Sequence, residues 1–289
     1  MFFLQILLNS IVLGTQILLI AVPLYLVYSV SRIFHLAIGA ISTATAYSFY
    51  LVFKGQESFF LAGLMSLAVG ILFAIISYYL LEKYIERKQY LFALLVSFSA
   101  GVAIEALIAI FFGSDGKSIL EGILPVYHFL GLNLTLPGLV TIIVGILAFC
   151  SMSLVLKKSP LGRTFRSLSE NSVSAEAQGI NSHRIRFIAY LIAILMAGFI
   201  GIMHGLNTAL TPMMGFHTVI MAFIAFLIGG TTNITGTFIA SYLVALIPQI
   251  IVSFTDFSAS WKMVFVFVLA AFMLIIWPKG LFYSSERNS

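Results

Sequence analysis

The chain has 289 residues, 61% of them hydrophobic and only 9% charged, with a mean hydropathy of +1.10; soluble domains run at roughly 45–50% apolar, so an ordinary water-soluble globule is excluded. The net charge is +5, but the basic residues fall between apolar runs where membrane topology accounts for them, and nucleic-acid binding is not expected. The single Cys150 excludes an internal disulfide and a cysteine-built metal cluster.

A helix needs about 20 apolar residues to cross the bilayer core. Charge-poor stretches of that kind fall at 2–29, 33–53, 58–81, 91–112, 138–156, 187–209, 213–229, 235–254 and 262–278. The first 31 residues carry no charge, lack a basic start and an Ala-x-Ala exit, and read as an uncleaved first span. The seventh stretch is the shortest. It opens after Pro212 and closes at Gly229 and Gly230, which leaves a re-entrant or broken helix open as an alternative to a full crossing. The expected fold class is all-α: a polytopic membrane helical bundle of about nine spans (eight to ten), forming one transmembrane domain with a first half (1–156), a cytoplasmic loop (157–186) and a second half (187–289).

Lys and Arg counts orient the spans. With the 157–186 loop inside, twelve of the fifteen cations lie inside: Arg32, Lys83, Arg87, Lys88, the six between Lys157 and Arg186, Lys279 and Arg287. Lys54, Lys117 and Lys262 lie outside. The N-terminus is then outside and the C-terminus inside. The segment LEKYIERKQY reads as a solvated inner loop with local charge pairs.

The 157–186 loop has more pattern than topology requires. Pro160 and Gly162 punctuate its start, then Arg163, Phe165, Arg166, Leu168 and Ser169 fall at helical spacing, and Gly179 closes it. This predicts a short cytoplasmic helix presenting an aromatic residue and two arginines to a soluble partner, a residue mix typical of protein contacts.

Inside the spans, polar residues are few. Glu105 lies within the fourth stretch, where an acidic side chain at a helix centre costs about 2.5–3.5 kcal/mol on insertion scales; solute contact and interhelical hydrogen bonding both account for it. His204 and His217 have no Cys or carboxylate nearby in sequence, so no metal site is expected, and packing or a hydrated path remain. Pro23, Pro248, Gly198 and Gly201 read as kinks and close helix contacts.

Spans one to four and six to nine run in opposite directions, and the second and seventh open with Phe34-His35 and Phe216-His217. An inverted-topology repeat of this kind builds a transport path at the repeat interface. Its candidate residues are His35, Gly39, Glu105, Gly215 and His217, the glycines allowing close backbone approach.

The run GRTFRSLSENSVSAEAQGIN resembles the cytoplasmic coupling segment of ABC permeases of the branched-chain amino acid family, with Gly162, Arg163, Arg166, Glu170, Asn171, Ala175, Gly179 and Ile180 at matching positions. NSIVLGTQILLIAVPLYLVYS, FFGSDGKS, GFHTVIMAFIAFLIGGTTNITGTFIA and WPKGLF resemble further segments of that family in the same order. The chain departs from it at HLAIG (His35 to Gly39), where the family has N-L-A-H-G, and at Thr232 and Asn233 in place of Gly-Ser.

The resemblance implies a permease subunit of an ATP-driven importer in the cytoplasmic membrane of a bacterium or archaeon. The implied solute is a branched-chain or other hydrophobic amino acid, or a related small solute such as urea or an amide. Implied partners are ABC ATPase subunits, a second permease (homodimer or heterodimer) and an extracytoplasmic solute-binding protein. Gly162, Arg163, Phe165, Arg166, Glu170, Ala175 and Gly179 would couple to the ATPase. No G-x-x-x-x-G-K-[ST] run is present, so a nucleotide would be hydrolysed elsewhere, and neither a cofactor nor a catalytic group is expected. The rival reading is a secondary carrier or channel working without ATP.

Overall fold

A computed structural model describes residues 2–120, 126–129, 132–255, 257–278 and 280–281. Its elements in chain order are α1 (Phe2–Ser31), α2 (Ala37–Gln56), α3 (Phe59–Glu86), α4 (Tyr90–Phe112), β1 (Val126–Phe129), β2 (Leu132–Thr135), α5 (Leu136–Lys158), α6 (Pro160–Glu170), α7 (Ser172–Ala177), α8 (Ser182–Asn207), α9 (Met214–Gly229), α10 (Ile234–Phe254) and α11 (Lys262–Ile276). Each of the nine apolar stretches holds one helix.

Not all nine meet the requirements of a crossing. Among the described residues six helices are long and apolar enough: α1, α3, α4, α5, α8 and α10. The shortfall has two causes. Helices α9 and α11 are apolar but have 16 and 15 residues, which at 1.5 Å per residue is about 24 Å or less against a core of about 30 Å. Helix α2 has 20 residues but interleaves Ser42, Thr43, Thr45, Tyr47, Ser48 and Tyr50 with its apolar positions.

Helix α1 is the hub. Residues 14–24 are buried without interruption, so the helix is apolar on all sides because protein surrounds it on all sides. It packs against α10, α8, α9 and α5. Helices α3, α4 and α5 are equally apolar, yet only 22% of each spanning stretch is buried, against 78% for α1. Their outer faces carry side chains such as Phe60, Ile110 and Phe111, which suit hydrocarbon.

Hydrophobicity alone does not hold helices together in lipid, and the close contacts rest on small residues. Gly201 lies against the Ser42 backbone, Gly145 against Thr15, and Gly14 against Tyr242, whose hydroxyl is 3.0 Å from Thr15 Oγ1. The pairing has a twofold pattern: α1 packs on α10 and α9, and α8 packs on α3 and α2.

The connections sort to two ends. At one end Arg32 donates to the Ser169 carbonyl, Tyr25 Oη to the Thr232 carbonyl (3.3 Å) and Leu281 N to the Ile228 carbonyl (2.8 Å). At the other, Gln5 exchanges hydrogen bonds with the Asn133 backbone (3.0 and 2.9 Å), Thr135 donates to Asn207 (3.0 Å), and Lys117 and Leu210 pair their backbones (2.9 and 2.8 Å). Lys54, Lys117 and Lys262 belong to this second end and the other described Lys and Arg to the first. Lys279, Phe282 and Arg287 lie outside the described residues.

The helical bundle carries one addition: β1 and β2 form an antiparallel ribbon with Val126 opposite Thr135 and Phe129 opposite Leu132. These short runs are too polar to cross a membrane and rich enough in branched and aromatic residues to pair. One expectation is corrected: LEKYIERKQY is not a loop, since α3 continues to Glu86 and only the turn at 87–89 is non-helical, with Lys88 at φ 55°. Its two glutamates, Glu82 and Glu86, pair across the fold, as described below.

A Cβ added to Gly201 would collide with the Ser42 carbonyl, whereas Gly63 faces open space. Overpacking of this kind costs about 1–3 kcal/mol. Gly201→Ala is therefore expected to lower the melting temperature of the detergent-solubilised protein, while Gly63→Ala leaves it in place.

Candidate functional site

The first candidate region is where two helices begin inside the bundle. Residues 32–36 break the chain between α1 and α2, and α9 starts after the extended stretch around Thr208–Pro212. The starts of α2 and α9 meet through Gly39 and Gly215, each so close to the other's carbonyl oxygen that a Cβ on either would collide. Gly215 N donates to Thr43 Oγ1 at 3.0 Å, which satisfies one amide of the α9 first turn within the bundle.

Glu105 of α4 faces this junction. Its side chain is buried, Oε1 has no hydrogen-bond partner, and the carboxyl lies beside the Phe216 backbone N–H and the His217 ring. A carboxylate at a helix start is electrostatically favoured. Two cavities meet at Glu105 and Val102. One, of about 370 Å³, reaches Ser114, Thr211 and Met213 at the second end of the bundle. The other, of about 260 Å³, runs the opposite way between Leu36, Phe98, Phe216 and Phe267.

The structure therefore brings Gly39, Gly215, Glu105 and the His217 ring to one junction, and sets His35 apart from it. His35 is fully buried, its Nδ1 2.8 Å from Ser97 Oγ and its ring 5.5 Å from that of Tyr190. His217 is exposed, with Nδ1 2.9 Å from the Met213 carbonyl. His204 packs with its Nδ1 3.2 Å from Gln16 Oε1.

The second candidate region is the end holding α6 and α7. Ser159 caps α6, accepting from Gly162 N at 3.1 Å, and Pro160 occupies its first turn. Asn171 breaks the segment and caps α7 by accepting from Val173 N and Ser174 N. Gly179 takes φ 84° past the end of α7, where Gly is favoured, and Ile180 N closes back on the Ala175 carbonyl at 3.1 Å.

The amphipathic helix is present, but its faces differ from the expectation. Phe165 points into the core at 2% exposure, Gly162 and Ala175 are buried, and Arg166 donates inward to the Leu156 carbonyl. What faces outward is Leu161, Arg163, Glu170 and the 66% exposed Val173. The reason is legible in the spacing: Gly162, Phe165, Leu168 and Ser169 make one helical stripe, and in α6 that stripe is the buried one.

A cluster not anticipated from sequence ties this region to the bundle. Glu82 of α3, itself 7% exposed, is 3.0 Å from Arg186 Nη2 and 2.9 Å from His183 Nδ1, while His183 Nε2 is 3.2 Å from Glu86. Glu82, Glu86 and His183 are the one group among the described residues spaced to hold a cation. The Arg186 guanidinium already pairs with the Glu82 carboxylate, so the arrangement is that of an ion-pair cluster.

A multi-pass helical membrane bundle with cavities between its helices and a capped, amphipathic segment at one end has the build of a membrane permease. The chain belongs to the family described as branched-chain amino acid transport system / permease component, whose model matches residues 6–275. It is 25% identical to the high-affinity branched-chain amino acid transport system permease protein LivH of Escherichia coli K12, covering 97% of this chain and 96% of that one. It is 24% identical to BraD of Pseudomonas aeruginosa (96% and 95% covered) and 24% identical to a probable LivH of Methanocaldococcus jannaschii (94% and 90%). In fold it is similar to PsaBC from Streptococcus pneumoniae in complex with Fab, with TM-score 0.51, 16% identity, and 99% and 93% of the two chains covered. The protein is thus a transport permease component and not an enzyme.

Glu105 is the one ionisable group shared by both cavities. A charge-assisted contact is worth about 1.5–3 kcal/mol, so Glu105→Ala is expected to cut the initial uptake rate about tenfold or more at matched protein level in vesicles. His204→Ala, remote from both cavities, is expected to change it less than about twofold. Equal rates in the two variants would remove Glu105 from the path.

Proposed function

We propose that this chain is the membrane-spanning subunit of an ATP-driven importer that moves a hydrophobic amino acid, the branched-chain type first among them, across the cytoplasmic membrane of a bacterium or archaeon. The observation that carries this reading is the junction at Glu105, where two helix starts, a buried carboxyl and two cavities coincide. Backbone N–H groups at a helix start suit the carboxylate of a zwitterion, Glu105 suits its ammonium, and Phe98, Phe216 and Phe267 suit an apolar side chain. Pockets for drug-sized ligands measure about 300–1,000 Å³, and a chamber of about 260 Å³ fits a smaller solute.

The nine helices would cross nine times with inverted-topology halves, α9 and α11 being the shortened members; the reciprocal packing of α1 with α10 and α8 with α3 supports this. Val102 and Phe267 line the cavities yet stay 47% and 51% exposed, so the path wall is unfinished in one copy. A second permease, identical or paralogous, completes it. An extracytoplasmic binding protein delivers the solute at the end holding Lys117 and the ribbon. ATPase subunits dock at the outward residues Arg163, Glu170, Val173 and Gly179, with Gly162, Phe165, Arg166 and Ala175 seating the segment from behind.

Two experiments test this. Reporter fusions are expected to place Ser169 inside and Ser118 outside; both on one side would contradict the crossing pattern. Arg163→Glu combined with Val173→Asp is expected to leave abundance normal and to abolish ATPase co-purification and ATP-driven uptake, while Phe165→Ala lowers abundance by loss of core packing, about 3–5 kcal/mol for a buried Phe. Uptake that persists without any ATPase would mean a secondary carrier.

A further inference from the structure

A series of direct contacts joins the α7 segment to the start of α2. Ser182 donates to the Glu176 carboxylate of α7. Arg186 Nη2 donates to Ser182 Oγ at 3.1 Å and pairs with Glu82 at 3.0 Å, so one guanidinium holds the α7 side and α3 together. Tyr78, one turn before Glu82 on α3, donates to the His183 carbonyl at 3.2 Å and sets its ring edge-on to Tyr190 at 5.9 Å. Tyr190 lies 5.5 Å from His35, which is held by Ser97, and Ser97 Oγ in turn accepts from Ala37 N, the first amide of α2, at 3.1 Å. Leu36 and Ala40, on either side of that amide, line the inner Glu105 cavity.

Between Ser182 and Ala37 the side chains that carry the relay, Arg186, Tyr78, Tyr190, His35 and Ser97, are buried, and their polar groups are incompletely satisfied. His35 Nε2 and Arg186 Nε have no hydrogen-bond partner in this arrangement. A core built only for stability would fill this volume with apolar side chains, since buried ion pairs are often no more stabilising than hydrophobic replacements. Unused donors and acceptors instead leave room for a second set of pairings when the neighbouring helix ends shift, which is the property of an element with two packed arrangements.

We propose that Glu82 and Arg186 are positioning residues that carry displacement of the α6–α7 segment to the start of α2, and so to the Glu105 junction. This rests on the reading of the chain as an ATP-driven importer. Their role is to make hydrolysis and transport one event: with the relay cut, the segment still docks and stimulates hydrolysis, but the α2 start no longer follows it.

The test uses the complete transporter, permease with its ATPases and binding protein, in proteoliposomes, and reads ATP hydrolysed per leucine imported. Glu82→Met with Arg186→Met removes both charges at similar volume and leaves no lone buried ion, which protects folding. At matched abundance this double variant is expected to keep solute-stimulated hydrolysis and to raise the ratio about fivefold or more, the lower range of coupling effects between sites. Ser182→Ala, which buries no charge, is expected to shift the ratio in the same direction and decides the matter if the double variant fails to accumulate. Exposed Lys83→Met, on the same turn of α3, is expected to keep the wild-type ratio. A wild-type ratio in the double variant, or in Ser182→Ala, overturns the proposal. Absence of ATP-driven leucine uptake by the unmutated transporter would instead overturn the importer reading, so the two failures are distinguishable.

Discussion

The close approach of Gly39 and Gly215 is the constraint from which the rest of this molecule follows. A helix that begins inside a membrane protein exposes amides with no partner in the preceding turn, and hydrocarbon offers them none. Two such starts are tolerable only where protein or water supplies acceptors. Thr43 and Ser97 supply two of them by accepting from Gly215 N and Ala37 N, and the Glu105 carboxyl lies beside Phe216 N. Any side chain larger than hydrogen at either glycine would push the starts apart and leave those amides without their acceptors. The cavities on either side of Glu105 lie where the starts of α2 and α9 meet α4.

Holding such a junction requires a rigid surround, and the packing supplies it. Helix α1 is enclosed by α10, α8, α9 and α5 and has no lipid-facing stripe over its middle turns. The helices that do face lipid are uniformly apolar, so the usual amphipathic signal is lost in exactly those elements. Charge is pushed to the ends, where the first end holds most of the described cations and the folded α6–α7 segment. Glu105 and the Glu82–Arg186 pair are exceptions, the latter a charge pair drawn into the bundle at the point where segment and helices join.

Much of this was legible in the sequence. Apolar runs located nine helices to within a few residues, because about 20 apolar residues in a row have few alternatives in a membrane chain. Which of them cross was not legible for α2, α9 and α11, since length and polarity there reflect the junction, not the bilayer. Gly39, Glu105 and Gly215, grouped from the sequence because each is a residue type that costs something in a spanning helix, lie at one junction. Of the histidines grouped with them, His217 lies beside the Glu105 carboxyl while His35 turns to Ser97, because a shared Phe-His dipeptide does not specify direction. The Phe165 stripe was readable from its spacing. Glu82 with Arg186 was not, because the partners lie on helices far apart in sequence and LEKYIERKQY is locally indistinguishable from a solvated turn. The β1–β2 ribbon escaped notice because short alternating runs in a connection carry little signal.

In the proposed function the two cavities that meet at Glu105 belong to one solute route through the bundle. Val102 lines both and carries no charge, so Val102→Cys on a Cys150→Ser background gives a probe that leaves Glu105 intact. The account predicts that a membrane-impermeant thiol reagent reacts with this cysteine in the assembled transporter and that transported solute slows the reaction. A cysteine that stays unreactive through every nucleotide state, while lipid-soluble reagents reach it, would place Val102 against hydrocarbon and contradict the route.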